Sequence, residues 1–427
     1  MTETTSSRSQ QEEFDEATSA ELLESDIEKD RAIVGRDWPN RTQEYLSTAT
    51  PEAIRNFARS YGDDNPLYSD TGHGRQTRWG GQIAPPIMAG ILNAPLRGER
   101  PGKDERGGSY RGIHAFVSGG TWDWYRPIRP GDTVYSFGGL DSIEVKRSEF
   151  AGRSVVKVRR DVKMNQNAEV IGVYRTLVIY TERKKARERG KYSGVEAPSY
   201  TEADIEEIER LYAAEQRRGT QPRYAEDVEV GEELSPVVKG PLTTTDMVVF
   251  HAGGYGFAPY GLVTGRLAHE NRKRIAPFYV RNEYGVPDVA QRVHWDSAWA
   301  QAIGNPRAYD YGVLRECWAN HFLTDWAGDD GWVVSQHDQL RKFNYQGDVQ
   351  YFGGEVTGKH LEDGQWLIDV AFRATNQRDE ETMRGTTTLA LPSKEHGPAL
   401  LPAVPADLQR RAIEMMTAHG AAPPPAA

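Results

Sequence analysis

The residues best suited to chemistry are a histidine with acidic neighbours and a glycine that opens an apolar run. His294 lies in RVHWDSAW, with Asp296 two positions after it and Asp288 six before it. Imidazole titrates near neutral pH, so histidine is well suited to take and return a proton. The plain alternative is a strand-edge histidine bonded to backbone. Farther on, Asp310-Tyr311-Gly312 precedes GVLRECWANHFLTDWAG. Asp310 reads as the N-cap of a helix whose first N–H groups favour negative charge, and Tyr311 could set a hydroxyl over a substrate. Early in the chain, Asp63-Asp64-Asn65-Pro66 is followed by Tyr68, and these side chains suit an Asx turn before an extended segment. Cys317, His321 and Asp325 fall at i, i+4 and i+8, a spacing open to metal ligation or a Cys–His nucleophile. A reactive thiolate needs exposure and positive surroundings, whereas a helix on a sheet buries its thiol, so these three are read as core and no metal site is expected. His269-Glu270 lacks the second histidine of a zinc-protease helix, and GGYGFAPYG lacks dinucleotide-binding spacing. Tyr255, Phe257 and Tyr260 of that string suit either a lid over an apolar tail or the stapling of a long loop.

The elements that must hold these residues follow from periodicity. Residues 155–164 and 367–375 alternate apolar and polar side chains, with Ile368, Val370, Phe372 and Ala374 on one face, which predicts strands with one buried face. Ahead of the strands each half has a helix-like apolar segment: PPIMAGILNA after Ala84, and the run after Tyr311. In the latter, Leu314, Cys317, Trp318, His321, Phe322 and Asp325 recur at helical intervals, so one face should press onto a sheet. The chain also repeats itself. RPGDTVYSFGG and YQGDVQYFGG place Asp132 and Asp348 at an interval of 348 − 132 = 216, and Asn165-Gln166-Asn167 and Asn376-Gln377-Arg378 precede a β-rich segment in each half. A helix followed by antiparallel strands, twice over, is an α+β arrangement. The expected layout is an acidic mobile tail over 1–30, a first half over 31–182, a linker with an exposed helix over 183–222, a second half over 223–395 and a C-terminal tail over 396–427.

The motifs carry a resemblance. FARSYGDDNPLYSD (57–70) and TRWGGQIAPP (77–86) resemble the N-terminal half of MaoC-like dehydratases. These are relatives of R-specific enoyl-CoA hydratases that include a double hotdog form with a FAS1-like dehydratase N-terminal half. The family signature is Gly-Asp-x-Asn-Pro-x-His followed by Ile-Ala-His-Gly. Gly62, Asp63, Asn65 and Pro66 match it, while Tyr68 and Pro85 stand where the two histidines would be. RVHWDSAWAQAIGNPRAYDYG (292–312) resembles the complementary stretch, because Tyr68 to Pro85 and His294 to Tyr311 both span 17 positions. Here the signature aspartate is missing: Val289 occupies its place and Asp288 is one position off. Phe57 to Tyr68 spans 11 positions and Phe250 to His294 spans 44, so an insertion over about 254–290 is expected.

The resemblance implies a double hotdog fold, in which each half has a central helix wrapped by an antiparallel sheet. It also implies a hydratase or dehydratase of enoyl- and 3-hydroxyacyl-CoA thioesters that needs no metal or redox cofactor. His294 would handle protons with Asp288 or Asp296 as its carboxylate partner, and Tyr311 and Gly312 would face the thioester oxygen. Asp63, Asn65 and Tyr68 would mark a possible second site that has lost its histidine. Two alternatives stay open: a hotdog acyl-CoA thioesterase, and a non-catalytic acyl-CoA-binding or partner subunit with decayed sites. By resemblance a homodimer, or a heteromer with a related hotdog subunit, is implied.

Composition narrows the classes further. Across 427 residues, 52 Lys and Arg stand against 62 Asp and Glu, a net charge of −10, which argues against nucleic acid as a partner. No apolar run of membrane-spanning length exists, and the start MTETTSSRSQQEEFDEA lacks the features of a signal peptide, so no membrane partner and a cytoplasmic location are expected. The single cysteine excludes internal disulfides and cysteine-rich zinc modules.

Overall fold

The computed structural model describes residues 21–99, 101–102, 105–110, 113–148, 152–181, 195–256, 264–303 and 305–421. The first half contains α1 (Glu24–Ile33), β1 (Trp38–Pro39), α2 (Pro51–Ser60), β2 (His114–Trp124), β3 (Tyr135–Ser148), β4 (Gly152–Met164) and β5 (Val170–Thr181). Next come α3 (Glu202–Ala213), β6 (Val237–Lys239), α4 (Thr244–Phe250), α5 (Gly265–Arg274), and a small hairpin of β7 (Tyr279–Arg281) and β8 (Pro287–Val289). The chain continues with α6 (Gly312–Ala327), β9 (Trp332–Leu340), β10 (Gln350–Glu362), β11 (Gln365–Asn376), β12 (Glu381–Leu391) and α7 (Ala406–Ala421).

Ten strands form one sheet in the order β1-β3-β4-β5-β2-β9-β12-β11-β10-β6. On β11 the alternating residues Ile368, Val370, Phe372 and Ala374 are all buried, as their period of two requires. The halves meet where β2 pairs antiparallel with β9, and Thr121 lies opposite His337 there. Their interval, 337 − 121 = 216, equals the interval of the sequence repeat. In an antiparallel pair only equivalent residues facing each other can sit on a two-fold axis, so Thr121 and His337 mark the pseudo-dyad; their side chains bond at 2.7 Å. The turns after β4 and β11 repeat in chemistry as well as in sequence. Asn165 Oδ1 accepts from the N–H groups of Asn167 and Glu169, and Asn376 Oδ1 accepts from those of Arg378 and Glu380. Ala168 and Asp379 take the same left-handed conformation, at φ 60° and 55°.

The two halves differ in their central element. α6 is a full helix, but PPIMAGILNA folds only as a 3-10 segment over Pro86–Ile91 before Leu92 turns extended. Proline supplies no N–H to continue the helix, Gly90 packs against the Trp122 ring, and bridges of Leu92 to Leu46 and Ala94 to Tyr135 pull the chain straight. α6 also departs from a one-faced helix. Arg315, Glu316, Asn320, His321 and Asp325 are buried along with its apolar residues, because the first half covers the side that the second-half sheet leaves open. Buried polar groups need partners. Glu316 accepts from the Tyr174 hydroxyl across the seam between halves, whereas Arg315 donates to the Lys342 and Thr382 carbonyls and Asn320 to the Gln336 side chain within the second half.

Both expected tails need correction in their described parts, from residue 21 and up to residue 421; residues 1–20 and 422–427 lie outside the described residues. The acidic N-terminal stretch contains α1 from Glu24, with Ile27 fully buried and Asp30 bonded to Lys157 Nζ at 2.8 Å. Lys157 also lies over the rings of Tyr110 and Tyr180, at 4.3 and 4.7 Å. Lys157→Met leaves the Asp30 carboxylate buried without its cation, and urea unfolding should show a loss of about 3 kcal/mol; a loss below about 1 kcal/mol would mean that the pair is screened. At the other end α7 returns to the first half, where Ala412 and Met415 join Leu96, Phe137 and Val162 in one apolar cluster. In the segment between the halves, α3 is docked through Ile208 against Val238 and Val349. The basic run from Arg183 to Lys191, and Phe257 and Tyr260, lie outside the described residues.

Candidate functional site

Two side-chain clusters sit at the junction of the halves. The first is built around the start of α6. His294 ends a 3-10 segment over Ala290–His294, and its Nδ1 lies 2.8 Å from the carbonyl oxygen of Tyr309. A carbonyl only accepts, so Nδ1 carries the hydrogen and Nε2 of the neutral ring is left with a lone pair. Burial pushes the imidazole down to about 4, so it is neutral at pH 7. Its ring lies 3.8 Å, centroid to centroid, from that of Tyr311, and Gly312 follows as the first residue of α6. The Tyr311 hydroxyl lies 2.9 Å from His251 Nε2 and 2.8 Å from Gln291 Nε2. His251 in turn donates from Nδ1 to the Gly256 carbonyl at 2.7 Å, which leaves its Nε2 to accept from Tyr311.

The acidic candidates occupy other places. Asp288 lies at the hairpin, accepting from Val289 N–H at 2.7 Å and the Asn282 side chain at 3.3 Å. Asp296 caps the short helix Ser297–Ala302 through Trp299 N–H and pairs with Arg292 at 3.2 Å. Asp310 does not cap α6; it is buried, with Oδ2 2.9 Å from both Arg315 Nε and Asn344 Nδ2, and burial raises it to about 6. The structure therefore gathers His294, Tyr311 and Gly312 and gives Asp288 and Asp296 local backbone partners. His251 was not foreseen. Its signal was the match of Phe250 to Phe57, which puts it beside a position that the two halves share, but Tyr311 is 60 residues away in sequence.

The second cluster forms where the first-half motif lies on the C-terminal part of α6. Asp63 accepts from Asn65 N–H at 3.0 Å and from the Tyr61 hydroxyl at 3.2 Å, and Asn65 accepts from Leu67 N–H at 2.9 Å, so the motif is a chain of Asx turns. The Asn65 side chain also donates to Asp329 at 3.3 Å, across the seam. Tyr68 is buried there, its phenol pushed up by desolvation. Next to Asp63, the fully buried His321 has Nε2 3.0 Å from Asp325 Oδ2, 3.5 Å from Glu215 Oε1 and 3.9 Å from Asp63 Oδ1. Burial raises Asp63, raises Asp325 to about 7 and lowers His321. Lys239 Nζ stands 3.9 Å from Glu215 and bonds the Gly62 carbonyl at 3.2 Å. Glu215 and Asp325 border a cavity of about 570 Å³ that Arg217, Arg218 and Arg223 also line. The helical spacing of His321 and Asp325 was visible in the sequence, but nothing local announced Glu215 or Asp63 as their neighbours.

Two antiparallel half-sheets joined across β2 and β9, with α6 enclosed between them and the first-half motif, make this a double hotdog protein of α+β class. Residues 39–173 match the family model described as FAS1-like, dehydratase domain region. A UPF0336 protein of Streptomyces avermitilis is 29% identical over 150 residues, covering 35% of this chain and 93% of the relative. One from Streptomyces coelicolor is 25% identical over the same length and shares. The solved structure of a MaoC-like dehydratase superposes with a TM-score of 0.55 at 16% identity, covering 84% of this chain and 99% of that one. The sequence matches are thus confined to about a third of the chain, whereas the likeness of fold runs through both halves.

Proposed function

We propose that the cluster at the start of α6 adds or removes water across the C2–C3 bond of an enoyl or 3-hydroxyacyl thioester carried on coenzyme A. The observation that carries this reading is the fixed tautomer of His294, which leaves Nε2 with its lone pair on a ring packed against Tyr311, the residue before α6. In the direction of hydration, Nε2 takes one proton from water as the water oxygen bonds C3. The C2–C3 electron pair moves onto the thioester, giving an enolate whose oxygen faces the N–H groups at Gly312, and the imidazolium then returns its proton to C2. The product gains H and OH, and no cofactor is consumed. The first half lacks the parts for this step, since Tyr68 cannot act as an imidazole base and Pro86 stands at the glycine position without an N–H. The FAS1-like dehydratase region and the fold of the MaoC-like dehydratase support the same reaction class.

The test is incubation with enoyl-CoA and 3-hydroxyacyl-CoA thioesters of short, long and ring-bearing acyl groups, followed by mass spectrometry. A mass change of one water supports the proposal. Release of free CoA would instead indicate a thioesterase, and binding with neither change a non-catalytic acyl-CoA protein.

The pH dependence is set by the same histidine. The base works only when neutral, and burial lowers its pKa, so kcat/KM should persist below pH 6.5 and reach half its plateau near pH 4. An acid limb centred at 6.5 would show an imidazole in open solvent. Stability follows the same sign: with the folded pKa depressed, the unfolded chain takes the proton first. The contribution of His294 is thus complete above about pH 6.5 and lost as pH falls toward 4.

A further inference from the structure

We propose that Glu215, His321 and Asp325 form a binding site for one divalent first-row transition-metal ion, of the zinc or manganese kind, with Asp63 at its edge. One ligand atom from each of the three lies within 4.8 Å of the others. Ligands at the usual metal–nitrogen and metal–oxygen distances of about 2.0–2.2 Å stand about 3.0–3.6 Å apart around a common ion. The contacts of His321 Nε2 to Asp325 at 3.0 Å and Glu215 at 3.5 Å fall in that range.

The independent observation is the state of the imidazole. His321 has no exposed surface, and neither of its ring nitrogens makes a hydrogen bond; both carboxylate oxygens of Asp325 are likewise buried and unbonded. Four buried polar atoms without partners on two side chains are costly in a folded core. Although Nε2 and Asp325 Oδ2 are only 3.0 Å apart, their orientation is not that of a hydrogen bond. The ring nitrogen and the carboxylate oxygens are therefore both left without a hydrogen bond at a short separation, as ligands of a shared ion are. Charge points the same way: three carboxyl groups surround a neutral ring, with the ammonium of Lys239 against them. A nitrogen and two carboxylate oxygens select a borderline ion rather than a purely oxygen-seeking one such as calcium. Glu215 and Asp325 both border the 570 Å³ cavity, which gives the ion an entry path and water for its remaining positions.

The test is calorimetric titration of the chelator-treated full chain with zinc, manganese and calcium chlorides, followed by metal analysis after desalting. The expected result is one zinc or manganese ion per chain, with calcium at least 100-fold weaker, and a rise in melting temperature on saturation. Glu215→Gln lies at the cavity edge and leaves the core packing intact, so it should weaken zinc binding at least tenfold while melting as the wild type does without metal. Asp325→Asn should weaken it further. Stoichiometry below one ion per five chains, or binding unchanged in Glu215→Gln, would overturn the proposal. The readouts are independent of hydratase activity, so a metal-free hydratase and a metal-binding protein without hydratase activity are told apart.

Discussion

His294→Gln should lower the rate of water addition to an enoyl-CoA by about 10²–10⁴-fold, the usual contribution of a positioned acid–base group. Glutamine is chosen because its amide can still donate to the Tyr309 carbonyl, the bond that orients the native ring. The substitution removes the basic Nε2 and leaves Tyr311 and the first turn of α6 in place. The loss should therefore fall in kcat, with KM within about threefold, since substrate is held by groups that remain. Tyr311→Phe is a graded companion. It removes the hydroxyl between His251 and Gln291 but neither the ring beside His294 nor the backbone of α6, so a smaller loss is expected. A His294→Gln protein within tenfold of wild type, with an unchanged melting temperature, would remove His294 from the mechanism.

The second large effect is structural. Gly119→Ala should cost at least about 3 kcal/mol in urea unfolding, or yield no soluble protein, because it acts where the halves are joined. Gly119 has φ 135° at a bulge in β2, and a Cβ there would lie 2.0 Å from the Asp338 carbonyl oxygen of β9. Carbonyl oxygen on a paired strand cannot swing aside as a side chain can, so the strands must part and ladder bonds break. Gly397→Ala separates this clash from the conformational cost alone. It also has positive φ, at 86°, but open space around the position, so about 1–2 kcal/mol is expected. Equal losses at both sites would mean that the seam yields without harm.

Period-two alternation on β11 and the repeated Asp132 and Asp348 strings are local signals, and a strand must show them because one face is buried. The same holds for the gathering of His294, Tyr311 and Gly312, whose spacing of 17 positions matches that of the other half. The first-half central helix was misread because PPIMAGILNA is apolar enough for a helix, while the bridges of Leu92 and Ala94 that extend it come from residues far away in sequence. Both tails were misread for a related reason. Acidic or Ala-rich stretches look solvated, yet a single buried contact such as Asp30 with Lys157, or Met415 in the first-half cluster, docks them. The partners of His321 come from the first-half motif and from the segment between halves, and no local pattern encodes such a meeting.

The pseudo-dyad at Thr121 and His337 has a genetic consequence. In a pair of identical chains every substitution is made twice, so a change that improves one end of the assembly is imposed on the other. With both halves on one polypeptide each substitution is made once, and the two ends can drift toward separate tasks. Pro85-Pro86 in one half and Tyr311-Gly312 in the other are such a difference at matching positions: one half starts a full helix there, while the other starts only a 3-10 segment.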